Sequence, residues 1–270
     1  MQGIISSGGD ARGRCLDRKR RGALLWKYAR RLCGAVVRRE AFRGTWHDDL
    51  ANFLNLFLVR ETARCPICGY SGTFLHHARH AREICVRCGS RARHRVAYLA
   101  LERRDAEHTW RSARFVHFAP EPCISDVLRR WSGAYLSADL EPGAGDLVLD
   151  LRELELDSES VDVIFASHVL EHIVEDRKAL QEIYRVLRPG GAAVLIVPFV
   201  SEKTVEFGFA DPSRNYHARD CGADYPDRYR DAGFHVTMVS TDDFEQPDRY
   251  ALSSCRGGLE TKHWIAFCEK

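Results

Sequence analysis

At 270 residues, with 45% hydrophobic and 29% charged side chains, the chain is long enough for two domains and too apolar for an unfolded polymer. No apolar run reaches the roughly 18 residues of a membrane span, and ten cysteines without a recognisable leader read as thiols of a reducing compartment, the cytoplasm. The net charge of +2 conceals an asymmetry: residues 1–105 hold 22 basic and 9 acidic side chains, the remainder 18 and 29, so a basic front end faces an anionic ligand, nucleic acid, an anionic surface or the acidic half of its own chain.

Residues 1–21 lack apolar side chains to bury and are expected to be unstructured. Leu24, Leu25, Tyr28, Leu32, Val36 and Val37 recur at helical spacing opposite several arginines, which predicts a basic amphipathic helix, and a second helix is expected over 49–60. Residues 1–60 therefore form a basic, partly disordered helical segment. Two CxxCG knuckles follow, Cys65-Pro-Ile-Cys68-Gly69 and Cys85-Val-Arg-Cys88-Gly89. Four thiolates at this spacing can enclose a structural zinc, while each glycine allows the tight turn that brings backbone amides to sulfur; a redox pair or four packed thiols are the alternatives. A basic turn, Arg91 to Arg95, then enters a helix, which gives a zinc-ribbon unit with its linking helix over 61–105.

The third unit, 106–270, opens with a strand at Phe115–Phe118, the loop Ala119-Pro120-Glu121-Pro122 and a helix over Cys123–Trp131. Strands are expected at Ala134–Ala138 and Leu147–Leu151. Val161–Phe165 reads as a buried strand, and a helix with Asp176 in its first turn runs on to a stop at Pro189-Gly190-Gly191. Ala192–Val197 is a further buried strand, so the strand-helix-strand crossover implies parallel pairing. A long connection, 199–223, precedes a short helix over Tyr225–Ala232 and two closing strands, Phe234–Val239 and His263–Cys268.

The succession DVIFASHVLEHI, LQEIYRVLRPGG and AAVLIVP in residues 162–198 resembles the second half of class I S-adenosylmethionine-dependent methyltransferases of the type 11 kind. The order of two CxxCG knuckles, GSxxRHR, helix and FAPE over about residues 65–235 resembles a bacterial subgroup with a four-cysteine zinc-binding front end. The resemblance implies an α/β fold: a doubly wound, Rossmann-like sheet of seven mostly parallel strands, closed by an antiparallel edge. It also implies transfer of the cofactor's methyl group to an unidentified, small-molecule oxygen, nitrogen or sulfur nucleophile. An RNA substrate, or a catalytically silent zinc-ribbon binding module, are the alternatives.

By that resemblance, S-adenosylmethionine lies against Phe118, Ala119, Pro120 and Glu121, where the glycines usual in the family are absent and Glu121 is available to the cofactor's ammonium group. Asp139, eighteen residues beyond Glu121, meets the ribose hydroxyls beside Leu140, Asp150 with the Leu151 amide reads the adenine edge, and Ser167 and His168 close the site. The connection 199–223 covers the substrate. His168 and His217 are the candidate catalytic residues. His168, Glu171 and His172 at i, i+3 and i+4 share a helical face, and with His217 they resemble, with one histidine for a glutamate, the Glu-x-x-Glu-His metal site of some relatives. A second divalent metal, a metal-free base or substrate contact, and simple packing all remain open for them.

Overall fold

A computed structural model describes residues 22–28, 50, 52–54, 56–57, 63–77, 80–104, 109–256 and 259–270. The expected unstructured segment 1–21 and the distal half of the basic helix lie outside the described residues. Residues 22–28 are helical, and Tyr28 packs with Leu56 and Leu75. No helix among the described residues is long and apolar enough to cross a membrane.

The front end comprises short strands β1 (Ala63–Arg64), β2 (Ser71–Gly72), β3 (Phe74–His77) and β4 (His80–Cys85), followed by helix α1 (Ala92–Arg104). The main sheet then takes β5 (Arg114–Phe118), helix α2 (Pro122–Trp131), β6 (Ala134–Asp139), β7 (Leu147–Val148), β8 (Val161–Ser167), helix α3 (Asp176–Val186) and β9 (Leu187–Ile196). A two-stranded hairpin, β10 (Val205–Asp211) and β11 (His217–Asp220), leads to helix α4 (Pro226–Asp231) and β12 (His235–Ser240). Helix α5 (Pro247–Tyr250), β13 (Ser254–Arg256), β14 (Leu259–Thr261) and β15 (Trp264–Glu269) complete the chain.

The seven-stranded sheet has the order β12-β15-β9-β8-β5-β6-β7. The five strands from β9 to β7 pair in parallel, and β15 runs antiparallel to both β9 and β12. Its central strands alternate between two apolar layers, as the period of two requires. Val116, Ile164 and Ala166 face α3 and α4 through Leu180, Ile183 and Tyr229. Phe115, Val163 and Phe165 face α1 and α2 through Val96, Leu101, Ile124 and Leu128. Each fully buried side chain of this size contributes about 1.5–3 kcal/mol relative to exposure, so both layers are needed to hold the sheet.

Three local expectations change. Helix α3 stops at Val186 rather than at the Pro-Gly-Gly turn, and Leu187, with φ −70° and ψ 138°, is already extended. Arg188 precedes proline, which disfavours helical backbone there, and β9 takes in the turn through a register shift against β8. Gly191 has no room for a Cβ, which would come within 2.8 Å of the Asp162 carbonyl. The third parallel strand is only Leu147–Val148, because Asp150 turns back to bridge Glu153. His168 does not begin a helix: its φ of 57° is left-handed, and Leu170–His172 form a single 3-10 turn.

The front sheet has the order β14-β13-β4-β3, so residues from the far end of the chain complete it. Helix α1 meanwhile supplies Val96, Ala97 and Leu101 to a layer of the main sheet. Arg95 on α1 is fully buried and donates to the carbonyls of Glu83, Ser90, Tyr250 and Ala251, which fastens the second knuckle to the segment after α5.

Candidate cofactor cleft and metal clusters

The chain enters the sheet at β5, builds outward to β6 and β7, then returns to β8 on the other side of β5. Open parallel sheets bind ligands at the carboxyl ends of the strands where the order reverses. A cleft of about 230 Å³ lies there. Phe118 and Ala119 line it from the end of β5, Ala138, Asp139 and Leu140 from β6, Leu149, Asp150 and Leu151 after β7, and His168, Val169, His172 and Ile173 after β8.

Ala119 has φ 48° and His168 φ 57°, so both residues that leave the central strands into the cleft hold a backbone conformation costly for a side chain-bearing residue. The Ala119 amide donates to the Ala138 carbonyl at 2.9 Å. Asp139 accepts from the Glu141 amide at 2.9 Å through Oδ1. Asp150 is gripped by Arg152, whose Nη2 reaches Oδ2 at 2.6 Å; that pairing, chiefly its hydrogen bonds, holds the Asp150 carboxyl below its ordinary range.

Among the residues expected to hold cofactor, Phe118, Ala119, Asp139, Leu140, Asp150, Leu151 and His168 line the cleft, while Pro120, Glu121 and Ser167 do not; of the two candidate catalytic residues, His168 lines it and His217 does not. Ser167 is buried. Glu121 points to the front end, where Arg93 Nη2 donates to its Oε1 at 2.5 Å and His94 Nε2 at 2.7 Å. His94 Nδ1 accepts from the Arg91 amide at 3.1 Å, so Nε2 carries the proton. Burial alone would raise the Glu121 carboxyl, but the hydrogen bonds from His94 and Arg93 and the positive charge beside it overcome that and hold the group at about 2.

The two knuckles adopt matching turns. Gly69 and Gly89 have φ of 69° and 74° and donate to the carbonyls of Cys65 and Cys85 at 2.9 Å each. The ligand atoms of Cys65, Cys68, Cys85 and Cys88 all lie within 4.8 Å of one another, with Cys65–Cys88 and Cys68–Cys85 sulfur separations of 3.7 Å. A tetrahedron with metal–sulfur bonds of about 2.3 Å has edges of about 3.8 Å, so these two separations match the edges of a zinc site. None of the four is in a disulfide.

Glu171 is fully buried, and His168 Nδ1 stands 2.9 Å from its Oε1. Neither Glu171 oxygen completes an aligned hydrogen bond. Glu171, His172 and His217 bring ligand atoms within 4.8 Å of one another, the two imidazole rings meeting edge to face at 4.8 Å. Burial is the main cause that lowers the pKa of His217.

Arg219, wholly buried, sets this meeting. Its Nη1 donates to the carbonyls of Leu170 at 2.7 Å and Ile173 at 2.6 Å, and its Nη2 to Val174 at 2.8 Å. The hairpin is thereby clamped on the turn after β8. Sequence reasoning missed Arg219, Arg93 and His94 as organisers, since an arginine in a polar run reads as a solvated charge. It also missed Val169 and Ile173 as cleft walls, although both belong to the run that marks this turn.

Residues 134–195 match the family model described as a methyltransferase domain. A curated relative from Mycolicibacterium smegmatis, named "Probable S-adenosylmethionine-dependent methyltransferase", is 30% identical over 158 residues, which cover 53% of this chain and 58% of its own length. An uncharacterised 37.1 kDa protein of a Streptomyces fradiae transposon is 33% identical over 99 residues, 33% of this chain and 29% of its own. The chain thus spans little more than half of the first relative and under a third of the second. Among solved structures, the 1,6-didemethyltoxoflavin-N1-methyltransferase of Burkholderia thailandensis, with 1,6-didemethyltoxoflavin and S-adenosylhomocysteine bound, aligns at 16% identity and a TM-score of 0.48. That alignment covers 66% of this chain and 78% of the other.

Proposed function

We propose that this chain, whose residues 134–195 match a methyltransferase-domain model and lie in a mostly parallel seven-stranded sheet, is a class I S-adenosylmethionine-dependent methyltransferase acting on a small-molecule acceptor. One observation carries the reading: an apolar cleft at the strand-order reversal with an acidic residue, Asp139, at the end of the second parallel strand. Such a carboxylate can accept both hydroxyls of a ribose. Leu140, Leu149 and Leu151 offer apolar surface to a purine, and Asp150 with the Leu151 amide offers an acceptor and a donor to its polar edge. The bound cofactor supplies an electrophilic methyl on a sulfonium.

His168, at the end of β8 and on the cleft wall, is the residue placed to take a proton from an acceptor or to orient it. Catalysis otherwise rests on alignment, which a rigid sheet edge provides. Cys65, Cys68, Cys85 and Cys88 hold a structural zinc, since a closed four-sulfur shell leaves no open position. Residues 61–105 act as its module and 106–270 carry the transfer chemistry, apart from the β13–β14 hairpin that closes the front sheet. None of the seven described cysteines forms a disulfide, which suits the cytoplasm.

Calorimetry with S-adenosylhomocysteine tests the core of this reading, the expected result being one molecule bound per chain. Absence of binding by both S-adenosylhomocysteine and S-adenosylmethionine overturns it. Labelled methyl groups from the cofactor are expected in the small-molecule fraction of a cell extract, and label confined to RNA would overturn the acceptor class.

A further inference from the structure

We propose that Glu171, His172 and His217 bind one divalent first-row transition-metal ion, at a site distinct from the cysteine cluster and bordering the cofactor cleft. Glu171 has no exposed side-chain surface; the His168 ring stands 2.9 Å from Oε1 without an aligned hydrogen bond, and Oε2 has no hydrogen-bond partner. A buried carboxylate left in that condition is strongly unfavourable unless a cation meets it. The candidate ligand atoms of the three residues lie within 4.8 Å of one another. Ligands about 2.1 Å from one ion stand at most about 4.2 Å apart, so small side-chain rotations close the site.

The surroundings prepare the histidines for this role. His172 Nδ1 lies 3.1 Å from the Tyr216 carbonyl. A carbonyl only accepts, so Nδ1 carries the proton and Nε2 presents its lone pair, the arrangement that outer-shell carbonyls impose on metal-bound imidazoles. Tyr216 itself is held at φ 62°, after Asn215 at 56°, a conformation costly for a bulky aromatic residue. Arg219, two residues beyond His217, locks the hairpin to the carbonyls of Leu170, Ile173 and Val174. The pairing of His168 with Glu171 at 2.9 Å orients the carboxylate from the cleft side.

Two imidazoles and one carboxylate form a donor set suited to zinc, iron(II), cobalt or manganese, and they leave coordination positions open. Because His172 also lines the cleft, those positions border the place where an acceptor binds. The inference rests on the methyltransferase reading only for the identity of that cleft.

Titration with Co²⁺, read by calorimetry and visible absorption on protein whose cysteine cluster already holds zinc, tests the site. One equivalent is expected to bind, with ligand-field bands and no sulfur-to-metal charge transfer. Glu171→Gln and His217→Ala are each expected to weaken that binding more than about 100-fold, beyond the loss of an outer-shell partner. Should Glu171→Gln fail to fold, the half-buried His217 gives the second variant, and S-adenosylhomocysteine binding by His217→Ala confirms an intact cleft. The proposal is overturned if neither Co²⁺, Zn²⁺ nor Mn²⁺ binds beyond the cysteine cluster, or if His217→Ala binds Co²⁺ as the parent does. Co²⁺ binding without S-adenosylhomocysteine binding would instead remove the methyltransferase reading and leave the metal site standing.

Discussion

His94 Nε2 donates to Glu121 Oε1 across 2.7 Å, and this bond joins the segment after the second cysteine knuckle to the loop that leaves the first strand of the main sheet. The linkage continues into the cysteine cluster, because Ser90 Oγ lies 3.2 Å from Cys88 Sγ and 3.4 Å from Cys65 Sγ. Ser90 also gives its carbonyl to the buried Arg95. The front end therefore braces the loop after β5 through Glu121.

Through this bracing the proposed zinc would support the main sheet as well as the front end. Elemental analysis of protein prepared without chelator should find about one zinc per chain, held by four cysteines. Cys85→Ser should lose it. Because α1 belongs to both the front end and the main core, calorimetric unfolding of the variant should show one transition at lower temperature; a separate, unshifted transition for the main sheet would contradict this coupling.

Asp139 stands free of any arginine or lysine pairing among the described residues and lines the cleft. Replacing it by alanine should weaken S-adenosylhomocysteine binding by about 1.5–3 kcal/mol, the range for hydrogen bonds to a charged group. Equal affinities of parent and Asp139→Ala by calorimetry would remove its ribose role.

Ala119 occupies a left-handed conformation, φ 48°, that glycine adopts without steric cost. Ala119→Gly should raise stability in urea by up to about 1 kcal/mol, offset in part by the greater entropy of the unfolded glycine chain. Its cofactor affinity should be retained, since no side chain larger than a methyl is removed. A clear loss of stability would show that the methyl group packs as well as strains.

Acid should destabilise the fold in two stages. Burial depresses the His117 pKa from 6.5 to about 4, so below pH 6.5 the unfolded chain binds a proton that the folded chain refuses. Its contribution, on the order of 3 kcal/mol, is present above pH 6.5 and lost as pH falls towards 4. Glu121, at about 2 against an ordinary 4.5, contributes stability above pH 4.5 that is lost between 4.5 and 2. Urea unfolding from pH 7 to pH 4.5 should show a shallower slope for His117→Phe than for the parent, and identical slopes would exclude His117 as the titrating group.

What could be read from residue order alone was whatever depends on near neighbours. Short continuous apolar runs marked β5, β8 and β9, acidic Asp139 marked the end of β6, and knuckle spacing marked a cluster whose sulfurs do stand at 3.7 Å. Each of these follows from a repeat of a few residues, so propensity and periodicity carry it. The partners of Glu121, the clamp made by Arg219, the placement of β13 on β4 and the turn at His168 followed from none of these patterns. Arg95 meets Ala251 across 156 positions, and Arg219 meets Leu170 across 49. Such bonds form because folded backbone carbonyls must find donors once water is excluded, and which donor reaches them is decided by the packing of layers, not by the order of residues along any one strand or helix.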